Sequence, residues 1–281
     1  MKIQDECYAC LVRLVDLTVA LATSASQVRE QAKQAALGIL QEEFMPGGIP
    51  AVIASRFHRV IREITGNDDP FAGRKAKEME MLAQLCGEVA RLYDEELESL
   101  LKLAVLGNAV DFFRPESEVR QAMGRGVEWE ISAAPCLERL LQGPPGLLLY
   151  LADNAGEQFF DRRLVGWLRR QHWRVIYVVK GGPIQNDLTK KDLEASGLLA
   201  AMEPVVDTGA RTVGFVAAEA SASFLRLYQQ ADLILAKGMG HFETMSHLHD
   251  ARIFFLLQAK CRPVAQSLGV RVGSYVLAQG A

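Results

Sequence analysis

The chain has 281 residues, 49% of them hydrophobic and 23% charged, a composition that supports a sizeable core and excludes a disordered chain. Its net charge of −3, without a long basic run, excludes non-specific nucleic-acid binding but leaves room for a phosphorylated substrate neutralised by a local cation. Acids stand where a secretion signal would be basic, no apolar run approaches the roughly 20 residues of a membrane span, and the five scattered cysteines form no disulfide framework, so a cytoplasmic protein is expected.

In chain order, residues 1–140 read as helices of ~3.6-residue period, a helical cap domain. Asp5 can cap a first helix with an apolar stripe of Cys7, Cys10, Leu14, Leu17 and Leu21. Further helical stretches follow at Val28–Phe44, Ala51–Ile64 and Lys75–Leu106, the last broken near Asp94. Pro46-Gly47-Gly48 and the Thr65–Pro70 segment punctuate them. Past Gly143-Pro144-Pro145-Gly146 the pattern changes, and residues 141–281 read as an α/β domain. Short apolar runs at Leu147–Ala152, Val175–Val179, Pro204–Val206, Leu233–Ala236, Ile253–Leu257 and Val272–Leu277 suit strands buried on both faces. Amphipathic stretches between them, such as Phe160–Arg170, suit helices. The fold class is therefore α/β, with a doubly wound, largely parallel sheet, helices on both of its faces and a helical domain in front.

Ligands of such sheets bind beyond the carboxyl ends of the strands. The first run leads into Asp153-Asn154-Ala155-Gly156-Glu157 and the second into Lys180–Thr189. The third leads into Asp207-Thr208-Gly209 and the fourth into Lys237–Thr244. Four successive strand ends thus place carboxylate, amide or lysine beside glycine. Carboxylate and amide oxygens suit Mg²⁺, Mn²⁺ or a similar ion that keeps positions open for water and substrate. Asp153 and Asn154 can share one ion if the backbone turns sharply, which Gly156 eases, and Asp187 completes the set. Lys237, flanked by glycines that allow close approach, is placed to neutralise a phosphoryl oxygen. The helix after Gly156 is expected to offer free N–H groups to phosphate. Thr189 and Asp192 read as a helix-capping pair.

These same segments resemble the damage-control phosphatases. The matching stretches are Gly107–Asp111, Asp153–Glu157, Gly182–Thr189, Asp207–Gly209, Lys237–Thr244 and Lys260–Ala265, with Cys7-Tyr8-Ala9-Cys10 resembling the small prokaryotic branch. The resemblance runs in the family's order over nearly the whole chain. It implies a metal-dependent phosphatase acting on a small phosphorylated metabolite, a sugar phosphate or damaged phosphorylated cofactor. Its ion, Mn²⁺, Mg²⁺, Co²⁺ or Ni²⁺, would be held at Asp153, Asn154 and Asp187. Lys237 would contact phosphate, Asn108 and Asp111 would line the pocket from the helical side, and Gly238, His241 and Glu243 would meet the substrate. His241 departs from the family, whose members more often carry Asn there. Asp153, Glu157 and Lys237 are the catalytic candidates, with Asp153 as ligand or nucleophile and Glu157 as base or orienter.

Other motifs are discounted. Cys7 and Cys10 read as small core hydrophobes rather than zinc or redox ligands, since no second pair accompanies them. His241, His247 and His249 fit no helical zinc spacing, and Gly238-x-Gly240 lacks the third glycine of a dinucleotide loop. Two rival readings remain: a carboxyl methyltransferase using S-adenosylmethionine, and a non-catalytic phosphometabolite-binding protein.

Overall fold

The computed structural model describes residues 1–109, 120–121, 123–124 and 126–280; Asp111 lies outside the described residues. The chain begins with three helices, α1 (Asp5–Ala22), α2 (Ser26–Glu43) and α3 (Pro50–Thr65), which share a core of their own. Ala32, Ala36 and Leu40 give α2 a slim inner face at four-residue spacing, and Ile53, Ala54, Phe57 and Ile61 of α3 pack into it. Helix α1 turns inward on Cys7, Leu11, Leu14, Val15, Val19 and Ala22, so Cys10 is exposed rather than on the buried stripe expected for it. Two apolar stripes at helical spacing compete on α1, and the one carrying Leu11 and Val15 wins the interior.

The next helices, α4 (Ala72–Val89) and α5 (Leu97–Gly107), belong to a different layer. Leu82, Leu85 and the apolar residues of α5 merge with one face of the sheet. Helical periodicity shows that a face is buried but not against what, and so these two helices looked like part of the cap. Among the described residues the rest of the chain is β1 (Trp129–Ser132), α6 (Ala134–Leu141), β2 (Leu147–Leu151), α7 (Gln158–Arg170), β3 (Arg174–Val179), α8 (Lys190–Ala195), α9 (Leu199–Met202), β4 (Val205–Asp207), α10 (Ala222–Gln230), β5 (Leu233–Lys237), α11 (Gly238–Met245), β6 (Ile253–Gln258), α12 (Arg262–Leu268) and β7 (Tyr275–Gln279). Thr189 caps α8, accepting from the Asp192 N–H while the Asp192 carboxylate returns to Thr189, as the spacing predicts.

The seven strands lie in the order β1-β7-β6-β5-β2-β3-β4, parallel except where β7 runs against β6. Strand β1 precedes residue 140 and was not foreseen; it is a four-residue edge strand with Glu130 and Ser132 facing out. Side chains alternate along the central strands. Leu148 and Tyr150 of β2 join Val175 and Tyr177 of β3 on the face covered by α5 and α7. Leu149 and Leu151 join Ile176 and Val178 on the face covered by α10, α11 and α12. Strand β2 has β3 on one side and β5 on the other, and the chain winds outward in opposite senses from that junction. A crevice therefore opens beyond the carboxyl ends of β2 and β5. Among the described residues no helix is long and apolar enough to cross a membrane.

Candidate active site

The backbone stitches two of the strand-end loops together. Leu188 donates to the Asp153 carbonyl at 2.8 Å, Ala155 donates to the Asn186 carbonyl at 2.8 Å, and Asn154 and Asp187 form an antiparallel bridge. This short ladder sets Asp153, Asn154 and Asp187 side by side on one cavity of about 360 Å³. Gly156 makes the required turn at φ +107°. Two N–H groups of this turn are already engaged: Gly156 N–H goes to Gln158 Oε1 at 2.5 Å and Glu157 N–H to the Asn154 carbonyl at 3.1 Å.

Behind the cavity wall lies a buried network of charges. Asn108, at the end of α5, donates from Nδ2 to Asp153 Oδ2 at 3.0 Å and to Glu157 Oε1 at 2.8 Å. Its own oxygen accepts the Gln258 N–H at 3.2 Å, so it orients carboxylates instead of lining the pocket. Asn154 Nδ2 repeats the pattern, at 2.8 Å from Asp153 Oδ2 and 2.7 Å from Glu157 Oε1. The second oxygen of Glu157 pairs with Lys237 Nζ at 2.8 Å.

Lys237 does not reach the cavity. It is 0% exposed, and its ammonium points at Glu157, at Asp161 Oδ1 2.6 Å away and at the Ala104 carbonyl 2.8 Å away. The phosphate contact expected of Lys237 does not fit this placement, because its ammonium is enclosed and surrounded by three protein oxygens. Asp161 in turn accepts from the hydroxyls of Tyr150 at 2.6 Å and Tyr177 at 2.8 Å.

A second lysine stands behind Asp187. Lys180, at the end of β3, lies 3.3 Å from Asp187 Oδ2, donates to the Gly214 carbonyl at 2.7 Å and meets His241 Nε2 at 3.3 Å. His241 Nδ1 donates to the Lys237 carbonyl at 2.7 Å, which leaves Nε2 as the acceptor for Lys180. Burial and the neighbouring Lys180 hold His241 well below its ordinary pKa, so it is neutral. His241 is buried and holds Lys180; it does not line the cavity where a substrate contact was expected.

Of the other expected contacts, Gly238 lies directly under Asp153. Its φ is +76°, and a Cβ there would collide with the Asp153 carboxylate. Glu243 of α11 does line the cavity, and its Oε2 accepts the Ala51 N–H of α3 at 3.0 Å. Burial raises its carboxyl to about 7, against the pull of the N-terminal ammonium and that N–H. Lys260 and Arg13 bring positive charge to the cavity wall, and Cys7, Cys10 and Cys261 line it too.

Burial, then Glu157 and Asp187, drive the Asp153 carboxyl well above its usual pKa. Burial also raises Asp187 to about 6, against the pull of Lys180. Burial works against the Glu157 carboxylate as well, yet Lys237 brings it below its usual value. Asp187 Oδ2 and Glu157 Oε2, although paired with Lys180 and Lys237, are both buried oxygens with no hydrogen-bond donor among the described residues. Crowded carboxylates that resist ionisation, with an unsatisfied oxygen among them, suit a cation. No three His, Cys, Asp or Glu side chains of the described residues are grouped as metal ligands; the candidate set is two carboxylates and one amide.

Sequence reasoning noted Lys180 at a strand end but gave it no role, and it passed over Asp161 and the two tyrosines. Asp161 sits four residues after Glu157, on the same side of α7, and that spacing was a usable signal. A tyrosine inside an otherwise apolar strand also announces a buried partner for its hydroxyl.

A doubly wound sheet carrying this acid, amide and lysine cluster at its switch point is the frame of a phosphatase. The chain belongs to the family described as the damage-control phosphatase ARMT1-like domain, which it matches over residues 3–276. It is 36% identical to the damage-control phosphatase PH1575 of Pyrococcus horikoshii, over 98% of this chain and 97% of that protein. It is 32% identical to a damage-control phosphatase of Archaeoglobus fulgidus, over 98% of each chain. The crystal structure of the Pyrococcus horikoshii protein superposes with a TM-score of 0.89 at 33% identity, covering 100% of both chains.

Proposed function

We infer that this phosphatase hydrolyses a small phosphorylated metabolite in the cleft between α1, α3 and the sheet, beside a divalent ion held by Asp153, Asn154 and Asp187. One observation carries the reading. The buried cluster contains four carboxylates, Asp153, Glu157, Asp161 and Asp187, and two lysines, Lys180 and Lys237, all nearly inaccessible to water. Burial and mutual repulsion oppose ionisation of Asp153 and Asp187, and a divalent cation between them would relieve that repulsion.

When bound, the ion supplies Lewis-acid polarisation of a phosphoryl oxygen and a water of lowered pKa. The chain's own residues do the rest. Lys180 and Lys237 hold Asp187 and Glu157 from behind, leaving the cavity side of Asp153, Asn154 and Asp187 for the ligand. Lys260, whose charge stabilises the Asp153 and Glu157 carboxylates, is the cation on the cavity wall suited to phosphate. Glu157 takes two amide donors on one oxygen and faces the Lys237 ammonium with the other, and it acts as an orienter, not a base. Asp153 is the carboxylate best placed to meet the phosphorus or its attacking water. The cavity volume of about 360 Å³ suits a single small metabolite.

The test is turnover of p-nitrophenyl phosphate by the purified protein, before and after chelation, with Mn²⁺, Mg²⁺, Co²⁺ and Ni²⁺ added back separately. Activity should vanish with chelator and return with an ion. Undiminished turnover in the fully chelated protein would refute the assignment. Chelator-insensitive methyl transfer from S-adenosylmethionine, without phosphate release, would favour the methyltransferase reading instead.

A further inference from the structure

We propose that Asp161 and Lys237 form a buried brace that fixes the Glu157 carboxylate and, through it, turns the Asn154 amide so that its oxygen faces the ion. This deepens the reading above and rests on it. The chain of contacts is continuous. Tyr150 and Tyr177 hold Asp161 by two hydroxyl bonds of 2.6 and 2.8 Å. Asp161 and the Ala104 carbonyl hold the Lys237 ammonium at 2.6 and 2.8 Å. Lys237 holds one oxygen of Glu157 at 2.8 Å, which leaves the other to accept from Asn108 at 2.8 Å and from Asn154 at 2.7 Å.

A side-chain amide has donors at one end and an acceptor at the other. Tying the Asn154 NH₂ to Glu157 and Asp153 therefore points its oxygen the opposite way. An Asn turned over would aim two N–H donors at a cation and lose the ligand. The brace residues contact neither substrate nor ion. They are positioning residues, and all of them are buried: Tyr150, Asp161, Tyr177 and Lys237 are each 0% exposed. Partners that orient metal ligands in this manner are typically worth about 10–100-fold in metal affinity or activity.

Simple Coulomb attraction makes a different prediction, so the two accounts separate. The variant Asp161→Asn/Lys237→Met removes one negative and one positive charge and leaves the cluster balance unchanged. If only charge matters, its affinity for Mn²⁺ stays near that of the wild type. The brace requires affinity to fall about 10–100-fold, read by titration calorimetry. Turnover of p-nitrophenyl phosphate at saturating Mn²⁺ should recover with KM for the ester unchanged, because the brace acts only through the hold on the ion. Circular dichroism and a cooperative thermal transition establish that the variant is folded.

Should that variant not fold, Tyr150→Phe/Tyr177→Phe decides the matter, since it removes two hydroxyls and no charge. A several-fold loss of Mn²⁺ affinity supports the brace, and an unchanged affinity overturns it. The wild type is titrated in parallel. If the wild type binds no Mn²⁺, the ion assignment fails and the brace falls with it. If the wild type binds and the folded variant binds equally well, only the brace is wrong.

Discussion

Gly238→Ala offers the sharpest separation of site geometry from general stability. Residue 238 has φ +76°, a backbone state that costs an L-residue with a side chain about 1–2 kcal/mol. At roughly 2–4 °C per kcal/mol for a protein of this size class, Tm should drop by about 2–8 °C. The added methyl carbon also lands on the Asp153 carboxylate, which cannot stay where it is. Asp153 would leave its bonds with Asn108 and Asn154, and Mn²⁺ affinity should fall on the order of 100-fold, with turnover falling alongside. Gly269→Ala is the matched control, with φ +71° and nothing within 4 Å of its added carbon. It should show only the smaller Tm loss of the strained backbone, about 2–8 °C, and no change in Mn²⁺ binding. Calorimetric titration and thermal melts on both variants give the answer. Equal Mn²⁺ affinity in the two proteins would mean that the Asp153 carboxylate is not part of the ion site.

Three further outcomes are expected. Glu243 is raised from 4.5 to about 7, chiefly by burial, so the stability that its bound proton provides is whole below about pH 4.5 and is lost as pH rises through about 7. Glu243→Gln should therefore match the wild type near pH 5 and become the more stable protein above pH 7.5 in thermal melts; a Tm difference that does not change with pH contradicts the shift. Lys260→Ala should leave Mn²⁺ affinity within a few-fold yet raise KM for a phosphomonoester about tenfold or more, and an unchanged KM would remove Lys260 from the phosphate site. Cys7→Ala/Cys10→Ala should retain metal-dependent turnover while losing some thermal stability through Cys7, the buried member, and a folded double variant that no longer binds Mn²⁺ would show that a thiol is required.

The legible parts of this fold are those whose physics is local. Strands β2, β3, β5 and β6 announce themselves as continuous apolar runs because they are covered on both faces. Strand β1 has only Trp129 and Ile131 to mark it, separated by polar residues, and it pairs with β7 across more than 140 positions of chain. No apolar run states its own direction, so the antiparallel setting of β7 was out of reach. In the site, Asp153, Asn154 and Asp187 could be nominated together because they stand at strand ends, and the fold does bring them to one cavity. Lys237 was misplaced for an instructive reason. A lysine beside glycines looks open to solvent until its partner is known, and Asp161 lies 76 positions earlier in the chain. Sequence alone could nominate the charges, but their pairing is a property of the folded core.

The short backbone ladder joining Asn154 to Asp187 has a consequence for how an ion comes and goes. Its peptide hydrogen bonds fasten the two loops to each other. An ion held at the proposed site would meet a seat already assembled, so little conformational entropy would be lost on loading and its binding free energy would not be diverted into ordering the chain. Chelation should empty such a seat and leave the polypeptide standing, unlike small metallodomains whose ion is their keystone. Exchange between one divalent ion and another then becomes a matter of shedding and regaining water at the open side of the cleft. On that reading the choice of ion in a cell would follow from supply and from hydration energy, with the proposed site offering every candidate the same fixed berth.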